Sequence, residues 1–408
     1  MKPPSGDRVT DAIEKLFPAD VRRALVELRH AIHQDPELAF QEERTAIRLE
    51  RALAALHPKR LDRVAGTGVV ARVAGRDPRA PVVAIRGDID ALPIHENTGL
   101  AFSSGNAGIM HACGHDVHAT WAVGAAYLLS QRPALGDVLV VLQPAEEIGK
   151  GAQAVMESGA LEGVSAIFGG HVDRRFPVGT VVAEAGPLAA SADTFHIELV
   201  GSGAHAARPH EAADPIVGAA ALIGALQTIV SRRLDPSRAA VVTVGTISAG
   251  SAPNVIPDRA TMTGTLRATD PDTRRLLHDE VRRIAEAVAV AHRLKAEVTV
   301  EAGPPPIVNP VEAVSWARSA AISLLGPDAV VPLAFVNLAG EDFAYYMERM
   351  PGCFLRVGAR EAGTDAIPAH TPRFYAADES IFVGAAVLAE TARRASGALA
   401  GRSAAITA

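Results

Sequence analysis

The stretch MHACGHDVHAT, residues 110–120, places three histidines, a cysteine and an aspartate close together in the chain. Cys113 is one of only 2 cysteines among 408 residues, and it lies two positions before His115. Thiolate and imidazole are both ligands that zinc and related transition ions favour. The stretch is therefore either an ordinary turn into a helix or half of a metal site.

Other residues that could bind metal follow predicted strands elsewhere in the chain. They are Asp88 and Asp90 in VVAIRGDID, Glu146 and Glu147 after VLVVLQP, His171 at the end of AIFGGH, and His370 in the AHTPRF loop after CFLRVGA. In open α/β sheets, ligands bind outside the carboxyl ends of the strands. These side chains are therefore expected to meet Cys113 and His115 at that edge.

The joint set of Cys, His and Glu side chains predicts a mixed site with N, S and O ligands. Five such ligands exceed a single tetrahedral structural site, which suggests two ions in one cleft. A two-metal site holds a water between ions roughly 3.5–4 Å apart and makes it nucleophilic near neutral pH. The PAEE segment could supply both a ligand and a base, because successive residues of extended backbone point in opposite directions.

Each of these residues also has a purely structural interpretation. A single histidine beside a strand is more often a packing or surface residue, and paired glutamates usually form a solvated face. A buried Cys113 would ordinarily act as a small hydrophobe. Asp116 could simply cap the following helix, with His111 and His118 supporting the turn.

The elements that must position these residues alternate between strands and helices in the first third of the chain. Continuous β-branched runs separated by helices are typical of a mainly parallel sheet covered on both faces. From Gly186 the pattern changes to β-α-β-β-α-β, the order of a ferredoxin-like unit. We therefore predict an α/β catalytic domain, residues 1–185 and 304–408, interrupted by a smaller α+β domain, residues 186–303.

Charge and hydropathy exclude several classes of protein. The net charge is −6 and no long basic run occurs, which argues against a nucleic-acid or anionic-membrane partner. The N-terminal residues lack the apolar core of a signal peptide, and no stretch approaches the roughly 20 apolar residues of a membrane span. Two cysteines are too few for a disulfide framework and fit a reducing compartment. A cytoplasmic protein is expected.

Nine motifs in order along the chain resemble the metallo-aminoacylase and carboxypeptidase superfamily. They are RGDIDALPI, MHACGHDVHA, QPAEE, GGHV, GSGAHAARPH, PNVIPD, GTLR, GEDFAYY and AHTPRF. Together they are most similar to its amidohydrolase branch, which includes hippurate hydrolases, bacterial N-acyl-amino-acid amidohydrolases and plant indole-acetyl-amino-acid hydrolases.

The resemblance implies a role for each matching residue. The metal ligands would be Cys113, His115, Glu147, His171 and His370. Glu146 would be the general base, His205 the oxyanion-stabilising histidine, and Asn254 and Arg267 the contacts to the substrate carboxylate. Where the wider superfamily has a metal-binding histidine this chain has Asp88, so only Asp90 is carried over, as a catalytic-site residue that supports the ligands.

The resemblance further implies a metal-dependent hydrolase that cleaves the amide bond of N-acyl amino acids. Its cofactors would be two divalent ions, zinc or manganese first, with cobalt or nickel as alternatives. The smaller domain would serve as a lid and would form a homodimer or a dimer-based tetramer. A dipeptidase or carboxypeptidase on the same scaffold is the nearer alternative, and a metal-binding protein without catalytic activity is the more distant one.

Overall fold

The computed structural model describes residue 13 and residues 15–407, with side chains up to residue 402. Two compact units share these residues. Residues 15–186, Asn309–Ala334 and residues 345–407 lie in the first unit, and Pro187–Val308 with Phe335–Ala344 form the second. The predicted interruption at residues 186–303 coincides largely with the second unit, which also takes in residues 304–308 and Phe335–Ala344. The role of each unit stays a prediction.

Strands and helices alternate along the chain. The strands are β1 Arg60–Val64, β2 Gly68–Val73, β3 Val82–Asp88, β4 Val138–Gln143, β5 Val164–Pro177, β6 Val181–Val182, β7 Gly186–Ala189, β8 Asp193–Val200, β9 Ala204–His205, β10 Ala240–Ala249, β11 Val255–Ile256, β12 Arg259–Ala268, β13 Lys295–Glu301, β14 Ile307–Asn309 and β15 Gly352–Arg360. The helices are α1 Ala19–Gln34, α2 Glu43–Ala54, α3 His115–Gln131, α4 Gly151–Glu157, α5 Pro215–Leu226, α6 Pro271–Ala291, α7 Val311–Leu325, α8 Ala344–Met347 and α9 Glu379–Thr407.

The first unit is built on a seven-stranded sheet with the order β1-β2-β4-β3-β5-β15-β6. Its four central strands, β4, β3, β5 and β15, run parallel, and β4 is buried along its whole length. Burial on both faces explains why this strand is a continuous apolar run without alternation. The predicted α/β class is confirmed.

The edges of this sheet are antiparallel, so the sheet is mixed where the sequence predicted a mainly parallel one. β1 pairs antiparallel with β2, and β6 pairs antiparallel with β15. The β1–β2 connection is a tight hairpin in which Ala65 and Gly66 both have positive φ. Such turns join antiparallel neighbours, whereas parallel neighbours need a long crossover.

Helix α9 packs against α3, the helix that begins at His115. Trp121 of α3 is fully buried, and a Cβ atom on Gly384 of α9 would lie 2.2 Å from its ring. The glycine therefore permits close approach of the two helices. This contact fixes the helix that carries one of the predicted metal ligands.

The second unit contains a four-stranded antiparallel sheet with the order β10-β12-β8-β13. Apart from the two-residue strands β9 and β11, which pair with each other, the chain order is β8, α5, β10, β12, α6, β13, and this confirms the predicted β-α-β-β-α-β pattern. Residues of β8 alternate between buried and half-buried, as expected of a sheet with only one face packed on a core. No helix in the described part of the chain is long and apolar enough to cross a membrane.

The Gly384 contact predicts opposite effects for two substitutions in one helix. Gly384→Ala should lower the free energy of unfolding by about 1–2 kcal/mol, because overpacking against Trp121 outweighs the gain in helix propensity. Gly397→Ala is the matched control, because no atom lies within 4 Å of the added Cβ. It should be neutral or stabilise by up to about 1 kcal/mol. Chemical denaturation measures both; equal effects would contradict the packing argument.

Candidate metal centre

The parallel strands of the first unit bring three of the predicted segments to one edge of the sheet. Asp88 ends β3, and β4 ends at Gln143, shortly before Glu146 and Glu147. The sequence placed His171 at a strand end, but it lies inside β5, which continues to Pro177. The last residues that pair between β3 and β5 are Ile85 and Phe168. Three residues further along each parallel strand are Asp88 and His171, so His171 is level with the end of β3.

Cys113, His115 and His171 form the first cluster of possible ligands. Their ligand atoms lie within 4.8 Å of one another, and the Cys113 Sγ is 3.1 Å from the His171 Nε2. The His171 Nδ1–H donates to the Val172 carbonyl at 2.6 Å, so the neutral ring presents Nε2 as a lone pair towards the cysteine. All three residues are buried or nearly so.

Asp90 connects the first cluster to the glutamates. Its carboxylate accepts the His115 Nδ1–H at 3.1 Å and the Glu147 backbone N–H at 3.0 Å. The Asp90 carbonyl also accepts from His115 Nδ1, at 2.9 Å. With Nδ1 engaged in this way, His115 turns its Nε2 to the interior of the site, where Glu146 and Glu147 each lie 3.8 Å away.

A second cluster contains Cys113, Glu147 and His370, again with all ligand atoms within 4.8 Å. The His370 Nε2 is 3.5 Å from Glu147 Oε2. His370 has φ of 62° and Ala145, next to Glu146, has φ of 54°. Positive φ is uncommon for residues other than glycine and is found at functional sites when surrounding contacts enforce it. The two clusters share Cys113.

The residues present fit a transition-metal ion. The His115 Nε2 and the Glu147 Oε1 are buried, and neither has a hydrogen-bond partner among the described residues. Leaving such an atom unpaired costs about 1–3 kcal/mol, which a ligand at the site would offset. Burial and the charge of Glu147 raise the pKa of the Cys113 thiol well above its usual range, so a thiolate here requires a nearby cation.

Asp88, which the sequence analysis left out of the predicted ligands, is held by other side chains. It pairs with Arg86, and its Oδ1 accepts the His118 Nδ1–H at 2.6 Å. His118 Nε2 in turn accepts the backbone N–H of Val172 at 2.9 Å. Asp88 Oδ2 lies 3.7 Å from His115 Nε2. His118 therefore does more than support a turn, because it links Asp88 to the strand segment that carries His171.

Asp116 does not cap the helix that follows it. The N-cap of α3 is Gly114, in a left-handed conformation, and Asp116 lies in the first turn. The buried Asp116 carboxylate pairs with Arg29 at 2.7 Å and His33 at 2.9 Å. Burial opposes ionisation, but the charges of Arg29 and His33 hold the pKa of Asp116 well below its usual range.

His111 is fully buried, and this burial lowers its pKa to about 4, so it is a neutral core residue.

The remaining predicted residues lie in the second unit. His205 is exposed, and its Nδ1 accepts the Ala207 N–H at 3.0 Å, so the neutral ring carries its proton on Nε2. The Asn254 carbonyl accepts the Ala206 N–H at 3.0 Å. These contacts bring His205 and Asn254 together. Arg267 lies half-buried in β12.

Two buried residues that support the site escaped the sequence analysis. Glu42 accepts the Ala145 N–H at 2.9 Å and also binds Thr67 Oγ1 at 2.5 Å, so it holds the turn before Glu146. Arg174 binds the segment that carries His370. Neither residue could be recognised from the neighbouring sequence, because the residues that it contacts are distant along the chain.

The Asp116 cluster predicts a pH-dependent contribution of His33 to stability. Burial alone would lower its pKa, but the charge of Asp116 and hydrogen bonds with Asp116 and Glu96 raise it to about 9. The raised pKa means that His33 stabilises the fold fully below about pH 6.5 and loses this effect as pH rises through about 9. His33→Gln should therefore cost up to about 3 kcal/mol more at pH 6 than at pH 9.5.

Urea denaturation in excess chelator at the two pH values measures this difference. His210→Gln, which replaces an exposed histidine, should keep the pH dependence of the wild type. A cost for His33→Gln that is the same at both pH values would mean that His33 does not change its charge in this interval.

Comparison with known proteins agrees with the motifs and the fold. A model of the peptidase family M20/M25/M40 matches residues 84–394. The N-acetyl-L-cysteine deacetylase of Bacillus subtilis is 40% identical over 380 residues, which cover 92% of this chain and 88% of that protein. The IAA-amino acid hydrolase ILR1-like 2 of Arabidopsis thaliana is 37% identical over 374 residues, covering 90% and 84%.

A solved structure is similar over nearly its whole length. The crystal structure of the Bacillus subtilis YXEP protein, a dinuclear metal binding peptidase from the M20 family, matches with a TM-score of 0.81 and 38% identity. The match covers 91% of this chain and 97% of that one. The family resemblance of the motifs is thus confirmed, and the chain belongs to the peptidase family M20/M25/M40.

Proposed function

We propose that this chain is a dinuclear metal-dependent amidohydrolase that cleaves N-acyl amino acids to a carboxylic acid and a free amino acid. The observation that carries the proposal is the pair of ligand clusters that share Cys113, with two buried donor atoms lacking a partner among the described residues. The names of the deacetylase and IAA-amino acid hydrolase relatives support the substrate class.

The proposed ligands divide into two groups. Cys113 with His115 and His171 would hold one ion, and Cys113 with Glu147 and His370 would hold the other. Zinc or manganese suits this mixed donor set first, and cobalt or nickel is also compatible with it. When bound, such a pair of ions lowers the pKa of a bound water and polarises the amide carbonyl.

Glu146 is the proposed general base. It follows the turn that Glu42 and Ala145 fix, and its Oε2 lies 3.8 Å from His115 Nε2. In this role Glu146 takes a proton from the attacking water and passes it to the leaving amine nitrogen. Asp90 orients His115 and Glu147 through its two carboxylate oxygens, so it supports the reaction without binding substrate.

His205 is proposed to stabilise the oxyanion. The Ala207 N–H engages Nδ1, which leaves Nε2–H as the donor that this role requires. Asn254 and Arg267 are proposed to bind the substrate carboxylate, since a guanidinium can grip a carboxylate with two parallel hydrogen bonds. We also propose that the second unit is a lid and mediates a homodimer, in which His205 serves its own chain or its partner.

A peptidase is the alternative function, because the similar YXEP structure is called a peptidase. A dipeptide brings a free amino group, which would need an acidic partner in the pocket. Metal-reconstituted protein should therefore be tested on N-acetyl, N-benzoyl and indole-acetyl amino acids beside the corresponding dipeptides. Turnover of dipeptides alone would favour the peptidase and reject the amidohydrolase.

Substitution of each of the two adjacent glutamates should distinguish the general base from the metal ligand. Glu146→Gln should retain the metal content of the wild type but lose about 10²–10⁴ in kcat, towards the upper end, because no base remains for the water. Glu147→Gln should instead lose metal. Elemental analysis and kcat of both variants measure this, and a reversed pattern would exchange the two assignments.

Arg267 should make the enzyme depend on a free substrate carboxylate. Arg267 is half-buried and would be covered further by bound substrate, where leaving its charge unpaired costs about 2–4 kcal/mol, so hippurate-type acids should exceed their carboxamides by about 30–1,000-fold in kcat/KM. Arg267→Ala should remove most of this preference. Arg259→Ala is the matched control, because Arg259 lies in the same strand but pairs with Glu198. Equal turnover of acid and amide by the wild type would remove Arg267 from the site.

A further inference from the structure

Arg174 is a buried arginine in β5, three residues after His171. Its side chain is only 1% exposed. A charged side chain is almost never buried unless it is paired, so the partners of Arg174 must be strong. These partners all lie in residues 361–375, which follow β15 and contain His370.

The guanidinium of Arg174 binds both ends of this segment. Nη1 donates to Glu361 Oε2 at 2.9 Å and to the Tyr375 carbonyl at 3.0 Å. Nη2 donates to Thr364 Oγ1 and to the Asp365 carbonyl, both at 3.2 Å. The guanidinium carbon also lies 4.1 Å from the centre of the Tyr375 ring, within the range of a cation–π contact.

The segment has little internal structure that could hold His370 in place. Residues 361–378 contain no helix or strand, and irregular loops longer than roughly 12–15 residues are usually functional. The His370 side chain is 54% exposed, so its own packing does not fix it. The left-handed φ of His370 must be enforced by contacts of the loop.

Two backbone hydrogen bonds hold the centre of the loop. The His370 N–H donates to the Ala112 carbonyl at 2.8 Å, and the Asn97 N–H donates to the Pro372 carbonyl at 2.7 Å. The first bond connects His370 directly to the residue before Cys113. Arg174 adds side-chain contacts at the two ends of the loop, which are also joined by the hydrogen bond from the Ala377 N–H to the Ala359 carbonyl at 3.1 Å.

We propose that Arg174 is a positioning residue that holds residues 361–375 so that His370 stays beside Cys113 and Glu147. This inference rests on the proposed role of His370 as a metal ligand. In this proposal, residues of β5 contribute to both clusters of possible ligands. His171 of this strand belongs to one cluster, and Arg174 of the same strand acts on the other through the loop.

Lysine cannot replace this arginine. The planar guanidinium directs separate N–H groups at four acceptors in two directions, whereas an ammonium concentrates its three donors on one nitrogen. Arg174→Lys should therefore keep the positive charge but lose some of the hydrogen bonds to residues 361–375. Arg174→Met removes all four hydrogen bonds while it keeps an unbranched side chain.

The test compares Arg174→Met and Arg174→Lys with the control Arg175→Met in the full chain. Arg175 is the neighbouring arginine, and its side chain bonds to Asp173 of the same strand. Amide hydrogen exchange of metal-free protein measures the order of residues 361–378. Titration of zinc against a competing chelator measures the affinity of each of the two ions.

Arg174→Met should speed exchange in residues 361–375 at least about tenfold, with β3 and β4 unchanged. The affinity of one ion should fall about 10–100-fold, the usual effect of losing a residue that orients a ligand, while the other stays within about threefold. Arg174→Lys should lie between Arg174→Met and the wild type. Arg175→Met should match the wild type in both measurements.

Unchanged exchange of the loop in Arg174→Met and Arg174→Lys would overturn the proposal. Faster exchange throughout the first unit, with equal weakening of both ions, would also overturn it, because it indicates a general loss of stability. His370→Ala separates this result from the proposed function. If that variant binds both ions as tightly as the wild type, His370 is not a ligand, whereas the exchange of residues 361–375 still tests the hold of Arg174 on the loop.

Discussion

The carboxylate of Asp90 is the interaction on which the geometry of the candidate site depends. One oxygen accepts from His115 Nδ1 and the other from the Glu147 backbone N–H. The histidine begins α3 and the glutamate follows β4, so a single side chain after β3 joins two further elements. Because Nδ1 is occupied, the imidazole can offer only Nε2 to a ligand, and its orientation is set before any ion binds.

The same principle applies to the other proposed ligands. His171 is oriented by the Val172 carbonyl, Glu147 follows a turn that Glu42 holds, and His370 is held through its backbone by the Ala112 carbonyl. In each case the contact uses an atom that is not the proposed donor. The donor atoms therefore stay available, and two of them, His115 Nε2 and Glu147 Oε1, are buried without a hydrogen-bond partner among the described residues, which costs free energy.

The sequence predicted the elements and the convergence of the proposed ligands for identifiable physical reasons. Parallel strands bring their carboxyl ends to one edge, so Asp90 and Glu147 could be placed together from pattern alone. The antiparallel edge pairings were missed for two reasons. The direction of β2 depends on the turn at Ala65 and Gly66, and β6 pairs with β15, which is distant in the sequence. Arg174 was missed because its partner Glu361 is 187 positions away and neither residue lies in a recognisable motif.

Stability and function oppose each other at this site. The buried His115 Nε2 and Glu147 Oε1 destabilise the metal-free fold, and the left-handed residues Ala145 and His370 add strain. Elsewhere in the first unit, buried charges are closely paired, as Asp116 is with Arg29 and His33. Other buried polar atoms of this unit, among them both ring nitrogens of His111, also lack a hydrogen-bond partner among the described residues, so the atoms beside Cys113 differ in that they belong to groups of possible metal ligands. A ligand that binds only the folded chain recovers this free energy, so binding and folding are coupled at the site.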